Sequence, residues 1–348
     1  GVIFKKYLIK YTHPEQYTAT QRDYYSYQLA QDHLFLQKPA AAIAAANGIS
    51  PNFINYPSAL FVRGTAYLLT NQVQSGMDDF KKCVSLMKTE NKHLSKEEAR
   101  ELRNRCIAGV ARAHYQAKNY LEADVWYDQI EVESFVWPQV LYERAWNAIA
   151  RGDYNRALGR LVTYKAPALT WFHDSEIEML RSMSYLQMCI YDEAEKESNY
   201  FVKRHGVVGD EIKKILERTS SGSTRGLVEL FQMGLTTLRE KMQAANPLNQ
   251  VMNRFVRSPY FISLAQTGAK VAKEQQFLQA QGASKGLAGF LKDVLVWRWQ
   301  TDQEVGGAFV RDRLASEYQA LLSNVKTMDI VKLEMLRRAK SRAESQLR

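Results

Sequence analysis

Residues 141–167 read LYERAWNAIARGDYNRALGRLVTYKAP. Two short helical stretches flank a tight turn, Gly152-Asp153-Tyr154, and each carries a small residue, Ala145 in the first and Ala157 in the second. The same pairing recurs along the chain. The first-helix residues are Ala30, Gly64, Ala111, Ala145 and Ser182, separated by 34, 47, 34 and 37; the second-helix residues Ala42, Gly76, Ala123, Ala157 and Ala194 show the same four separations. Two antiparallel helices approach closely only where side chains are small. Larger residues, Tyr67, Tyr185, Phe80 and Tyr127, are available to fill the adjoining space.

These residues resemble the tetratricopeptide repeat, a helix–turn–helix unit with a period of about 34 residues. The resemblance covers 22–206 as five units, after a lead-in or cap at 1–21 and before a C-terminal helical domain at 207–348. It implies an all-α, right-handed helical solenoid followed by a helical extension with a long terminal helix. The first unit is degenerate, with Pro39 at its turn and a nearly featureless Ala40 to Ala46 as second helix. The 47-residue step implies an insertion of 13 within TENKHLSKEEAREL (89–102), either prolonging a helix or bulging outward. The tryptophan usual early in the first helix is replaced by Leu60, Ile107 and Leu141.

A finer resemblance rests on WPQVLYERAWNAIARGDYNRALGRLVTYKAP (137–167), EIEMLRSMSYLQMCIYDEA (176–194) and VKLEMLRRAKSRAESQ (331–346). These look like tetratricopeptide proteins of the δ-proteobacterial gliding-motility machinery and their relatives in predatory bacteria. That resemblance implies a cell-envelope scaffold in the periplasm; the cytoplasm is the alternative.

After His205-Gly206 the repeat phase disappears, and TSSGSTRG (219–226) reads as a loop. Helical patterns follow at about 227–244, 247–257, 259–281 and 285–305, with Pro247 and Pro259 at first-turn positions. Ala308 to about Gln346 reads as a separate helix, roughly 55–60 Å long, packed antiparallel against 259–305. Trp297 and Trp299 in LKDVLVWRWQTD (291–302) read as core packing, with insertion at a membrane interface as the rival.

On the first helix of such units, positions i, i+4 and i+7 share the concave face. In the fourth unit these are Tyr142, Trp146 and Ile149, in the fifth Met179, Met183 and Leu186. The second offers Phe61, Thr65 and Leu68, the third Ala108, Arg112 and Tyr115. So apolar a face is filled either by a partner helix or peptide or by the chain's own C-terminal helices. Arg63, Arg144 and Arg181 each precede a small residue; their stems are read as packing between units while the guanidinium groups reach acidic neighbours.

Hydrophobic residues make up 46% of the 348 and charged residues 24%, enough to bury a core. Of 47 Lys+Arg and 37 Asp+Glu, residues 207–348 hold 22 and 14, a balance of +8, leaving 25 and 23, or +2, for the rest. No apolar run approaches the roughly 18–20 residues that span a bilayer. The opening GVIFKKYLIKYTHPEQ, broken by Lys5, Lys6 and Lys10, does not read as a secretory signal, and a start at Gly1 reads as a processed or trimmed chain. Cys83, Cys106 and Cys189 lack metal-ligand spacing and read as small buried apolar residues. The six histidines form no HExxH pair or Cys/His cluster; there is no GxSxG elbow and no phosphate loop. His33 and His114 share the repeat place of Tyr67 and Tyr185 and read as packing residues with one hydrogen bond each. The expectation is therefore a non-catalytic protein-binding scaffold without cofactor or metal. The rival is a basic solenoid holding nucleic acid or an anionic membrane surface through its C-terminal region, without spanning the membrane.

Overall fold

The structure, a computed structural model, describes residues 12–87, 94–169, 171–219, 223–241, 246–280 and 286–346. Among these residues the fold is all-α, with fourteen α-helices and no strand. Ten helices form the five repeats: α1 (Ala19–Phe35) with α2 (Pro39–Asn47), α3 (Tyr56–Leu69) with α4 (Val73–Leu86), and α5 (Lys96–Gln116) with α6 (Tyr120–Tyr127). Next come α7 (Trp137–Ala150) with α8 (Tyr154–Val162), and α9 (Ser175–Gln187) with α10 (Tyr191–Arg218). The remainder is α11 (Thr224–Arg239), α12 (Pro247–Val256), α13 (Pro259–Ala280) and α14 (Leu287–Gln346). From α1 to α7 each helix packs on the next, and α1 on α3 and α3 on α5, the neighbour-only pattern of a helical solenoid.

The small residues sit where the helices of a pair meet. A Cβ on Gly76 would lie 2.9 Å from the Gly64 carbonyl oxygen, and the Ser182 hydroxyl donates to the Ala194 carbonyl at 2.9 Å. Every alanine of the two series is fully buried. Leu60, Ile107 and Leu141, standing where a tryptophan was expected, are buried too.

A third series with the same spacing appears in the backbone. Gln37, Asn71, Lys118, Gly152 and Cys189 all have left-handed φ, between 57° and 73°. Each lies seven residues beyond the first-helix small residue of its repeat. The following N–H, of Lys38, Gln72, Asn119, Asp153 or Ile190, donates to the carbonyl of His33, Tyr67, His114, Ala148 or Tyr185 at 2.8–2.9 Å. That is the Schellman closure of a helix end. The place shared by His33, Tyr67, His114 and Tyr185 is thus the one whose carbonyl closes the turn. The side-chain hydrogen bond expected of His114 is missing: neither ring nitrogen has a partner, and His33 Nδ1 has none either.

The inserted residues prolong a helix. Ser95 caps α5 reciprocally with Glu98, and α5 runs 21 residues where α3 runs 14. Residues 88–93 lie outside the described residues. Here two cysteines differ from expectation. Cys83 on α4 and Cys106 on α5, both fully buried, form a disulfide with Cα atoms 6.1 Å apart. They are 23 residues apart in sequence and become neighbours only because α5 folds back on α4. Cys189 is exposed in the last turn, not buried.

The chain divides into two compact units, to Arg160 and from Leu161. The boundary drawn at 206/207 falls inside α10, whose 28 residues run without a break. The far half of α10 contributes Val208, Ile212 and Ile215 to a core shared with Leu230 and Phe231 of α11, Val251 and Met252 of α12, Phe261 of α13 and Val310 and Leu314 of α14. Pro247 opens α12 as expected, with Asn246 as its N-cap, and Pro259 opens α13.

The terminal helix is longer than the sequence suggested. α14 is one helix of 60 residues, on the order of 90 Å at 1.5 Å per residue, rather than two helices broken near 306. Gly306 and Gly307 do not end it. A Cβ on Gly306 would run into the Phe231 ring and one on Gly307 into the Leu227 carbonyl, so both glycines let α11 pack directly on the α14 backbone. The hairpin expected between 308–346 and 259–305 is replaced by another pairing: Phe261 packs on Phe309 and Gly268 against Trp299, which sets α13 antiparallel to the first part of α14. Trp299 also meets Phe231, with centroids 5.8 Å apart, whereas Trp297 stays partly exposed.

Candidate functional site

A cavity of about 380 Å³ opens between the third and fourth repeats, lined by Arg112, Tyr115, Tyr127, Glu143 and Trp146. Three of these came from the first-helix spacing, and the cavity brings them together: Arg112 and Tyr115 on α5, Trp146 on α7. Two were missed. Tyr127 closes α6, and Glu143 lies on α7 three residues before Trp146.

The floor is polar and closely satisfied. Arg112 donates to Glu143 through Nε at 2.9 Å and Nη2 at 2.7 Å. The Tyr127 hydroxyl donates to the same carboxylate at 3.0 Å and Gln139 Nε2 at 2.9 Å. Burial raises the Tyr127 pKa, and the negative charge of Glu143 raises it further, so the phenol stays protonated and keeps donating. Burial opposes the Arg112 charge, but the Glu143 carboxylate more than offsets that, leaving the guanidinium pKa above its ordinary value. The rings of Tyr115 and Tyr120 lie 5.6 Å apart, so Tyr115 is held by a second aromatic.

The preceding junction shows how unusual this floor is. Counting from the small residues, Tyr127 corresponds to Phe80 and Glu143 to Gly109. Phe80 is buried and fills the space over Gly109, where a Cβ would come within 2.6–2.7 Å of three ring atoms. One junction is closed by an aromatic ring on a glycine; the next replaces that contact by a phenol, a carboxylate and a guanidinium, and stays open. A hydrogen-bonded ion pair in place of ring packing gives little or no net stability. Local departures of this kind concentrate at functional sites.

The other residues read from the first-helix spacing go elsewhere. Phe61 and Leu68 pack with Met77, Phe80 and Val110 inside the junction of the second and third repeats. Ala108 is fully buried, and Thr65 bonds the Phe61 carbonyl at 2.8 Å. Tyr142 is buried close enough to Arg112 to act on its charge, and Ile149 is half-buried on α7. Met179 is buried, while Met183 and Leu186 pack with Val331 and Met335 of α14. Asn324 of α14 also donates to Ser175 at 2.7 Å. On the fifth repeat, then, the chain's own terminal helix covers the face.

The three arginines beside the small residues are engaged. Arg63 makes two 2.7 Å bonds to Asp79, and Arg181 pairs with Glu197; both acids lie three residues past the second small residue. The fourth repeat has Arg160 at that place, so Arg144 reaches Asp124 and Asp128 instead. Burial and the Arg144 charge lower the Arg160 pKa.

Buried titratable groups also gather on the fifth repeat. His205 Nε2 lies 3.0 Å from Glu178, and the His173 ring stands 4.5 Å from that of His205. Burial, then the charges of His205, Arg204 and Arg254, push the His173 pKa down to about 2. No group of three or more His, Cys, Asp or Glu among the described residues is arranged to hold a metal. No described helix is long and apolar enough to cross a membrane.

No family model matches the chain, and no curated protein does. Among solved structures it is similar to a Rap protein complexed with competence and sporulation factor, at 14% identity and a TM-score of 0.43, over 93% of this chain and 82% of that one. It is also similar to the Rap conjugation gene regulator of the plasmid pLS20 in complex with a Phr peptide, at 11% identity and a TM-score of 0.40, over 88% and 76%. Those values describe a likeness in helical fold and assign no role to any residue here.

Proposed function

We propose that this chain is a non-catalytic protein-binding scaffold that receives a partner helix or peptide at the cavity between its third and fourth repeats. The observation that carries the reading is the unfilled junction: the repeat that could have closed it with a ring on a glycine keeps an aromatic-walled opening instead. Solenoids bind along such surfaces because each unit adds a few side chains to one continuous patch. The resemblance to envelope tetratricopeptide proteins extends the proposal to a bacterial cell-envelope complex of the gliding-motility type. The buried Cys83–Cys106 disulfide supports an oxidising compartment such as the periplasm, since disulfides persist there and are rare in the cytosol.

The test uses Trp146→Ala. Aromatic anchors in desolvated pockets carry a large share of interface energy, about 2 kcal/mol or more on truncation. Proteins crosslinked and captured from native envelope fractions should be retained at least tenfold less well by the variant, with helicity and melting nearly unchanged. Equal capture by both proteins, or a drop in melting temperature with capture intact, would remove the cavity from the binding surface.

A further inference from the structure

We infer that the cavity takes an uncharged apolar side chain from a peptide segment, with a main-chain carbonyl of that segment on Arg112, and that it turns cations away. The inference rests on the scaffold reading and adds the chemistry of what enters. Tyr115, Tyr127 and Trp146 around a carboxylate are, at first sight, the makings of a cage for an ammonium group. The hydrogen bonds say otherwise. A carboxylate has about four acceptor positions, and Glu143 receives four donors: Arg112 Nε and Nη2, the Tyr127 hydroxyl and Gln139 Nε2. Nothing is left for an incoming cation, and the guanidinium bound to Glu143 cancels its charge. Arg112 is about one-third exposed, so an ammonium group would meet a neutralised ion pair and not a free carboxylate.

An anion fares no better, because the only charge available to it already belongs to Glu143. A neutral group avoids both conflicts and gains from the aromatic walls. A cavity of about 380 Å³ has room for an aromatic or branched aliphatic side chain presented by a peptide or helix. Glu143 engages Nε and Nη2 of the guanidinium, and Nη1 makes no hydrogen bond among the described residues. That leaves one donor for a peptide carbonyl beside the inserted side chain.

The experiment is ligand-observed saturation-transfer NMR on the full chain with three probes: N-acetyl-phenylalanine methylamide, N-acetyl-leucine methylamide and tetramethylammonium. The two amides should bind at least tenfold more tightly than tetramethylammonium, with little response to salt. Trp146→Ala should abolish their signal, and Arg112→Lys, which keeps the charge but loses the fork, should weaken it. Tetramethylammonium binding as well as the amides, or amide signal persisting in Trp146→Ala, overturns the inference. If no probe binds while envelope capture still depends on Trp146, the ligand chemistry is wrong and the scaffold reading stands. If the amides bind as described but capture ignores Trp146, the scaffold reading fails and the pocket chemistry stands.

Discussion

Replacing Gly109 by alanine puts a methyl group where the Phe80 ring already sits. The added Cβ would lie 2.6–2.7 Å from three ring carbons, against about 3.5–4.0 Å for an ordinary carbon contact. The ring has no room to retreat toward α3, because it already lies against Gly64, where a Cβ would be 2.9–3.1 Å from Cε1, Cζ and Cδ1. Overpacking a tight core costs about 1–3 kcal/mol, and contact with three ring atoms at once puts this site in the upper half of that range. Alanine also gains about 1 kcal/mol over glycine inside a helix. Gly109→Ala should therefore destabilise the N-terminal unit by about 1–2 kcal/mol. With Phe80→Leu the ring is gone, so the clash disappears while the helix gain remains. In that background Gly109→Ala should be neutral or stabilising by up to about 1 kcal/mol. Urea unfolding of the four proteins, followed by circular dichroism with the disulfide intact, measures this. If Gly109→Ala costs the same with Phe80 as with leucine, the ring does not close the junction. The contrast drawn with Tyr127 and Glu143 would then lose its basis.

Two further outcomes follow from other parts of the chain. Lys118 holds a left-handed φ of 61°, a conformation costing a residue with a Cβ roughly 1–2 kcal/mol. Glycine there gives back part of the gain through its freer unfolded state, so Lys118→Gly should stabilise by about 0.5–1 kcal/mol and Gly152→Ala should do the opposite; an unchanged midpoint for both would remove the turn series. In the C-terminal unit, the native His173 pKa is depressed to about 2, so below pH 6.5 the unfolded chain takes up a proton that the folded one refuses. Stability should fall as the pH drops through 6.5, by about 1 kcal/mol between pH 6.5 and 5.5. Glu178, whose carboxyl pKa is lowered despite burial by its bond to His205, adds a further loss only below about pH 4.5. His173→Gln should flatten the melting curve's pH dependence between 6.5 and 5; an unaltered slope would place the proton elsewhere.

The register of the repeats was legible because close helix approach leaves the sequence little choice at ten positions. The turn that closes each repeat was only partly legible, since Gln37, Lys118 and Cys189 carry no mark of a left-handed backbone, whereas Gly152 and Asn71 do. Three of the five cavity residues were legible for a related reason. Arg112, Tyr115 and Trp146 share one face of first helices, which spacing reveals, whereas Tyr127 arrives from a second helix and Glu143 from a neighbouring face. They become conspicuous only when the Phe80 and Gly109 contact is seen beside them. The helical patterns at 285–305 and from Ala308 stop on either side of Gly306-Gly307, and a glycine pair in isolation weakens a helix by about 1 kcal/mol per residue. Their packing against Phe231 and Leu227 is a tertiary fact that no local pattern contains.

The bond between Cys83 and Cys106 also changes how the chain would transmit tension. Pulled from its two ends, an unbridged chain pays out every residue as its helices give way. Here the load crosses from α4 to α5 through sulfur, and the 23-residue step between the cysteines is bypassed. At about 3.3–3.6 Å per extended residue, that withholds roughly 75 Å of contour. Single-molecule extension of the oxidised chain would fall short by that length, and the reductant would restore it. For a protein strung between other components, residues 83–106 form a segment that can lose its helix without adding to the chain's reach.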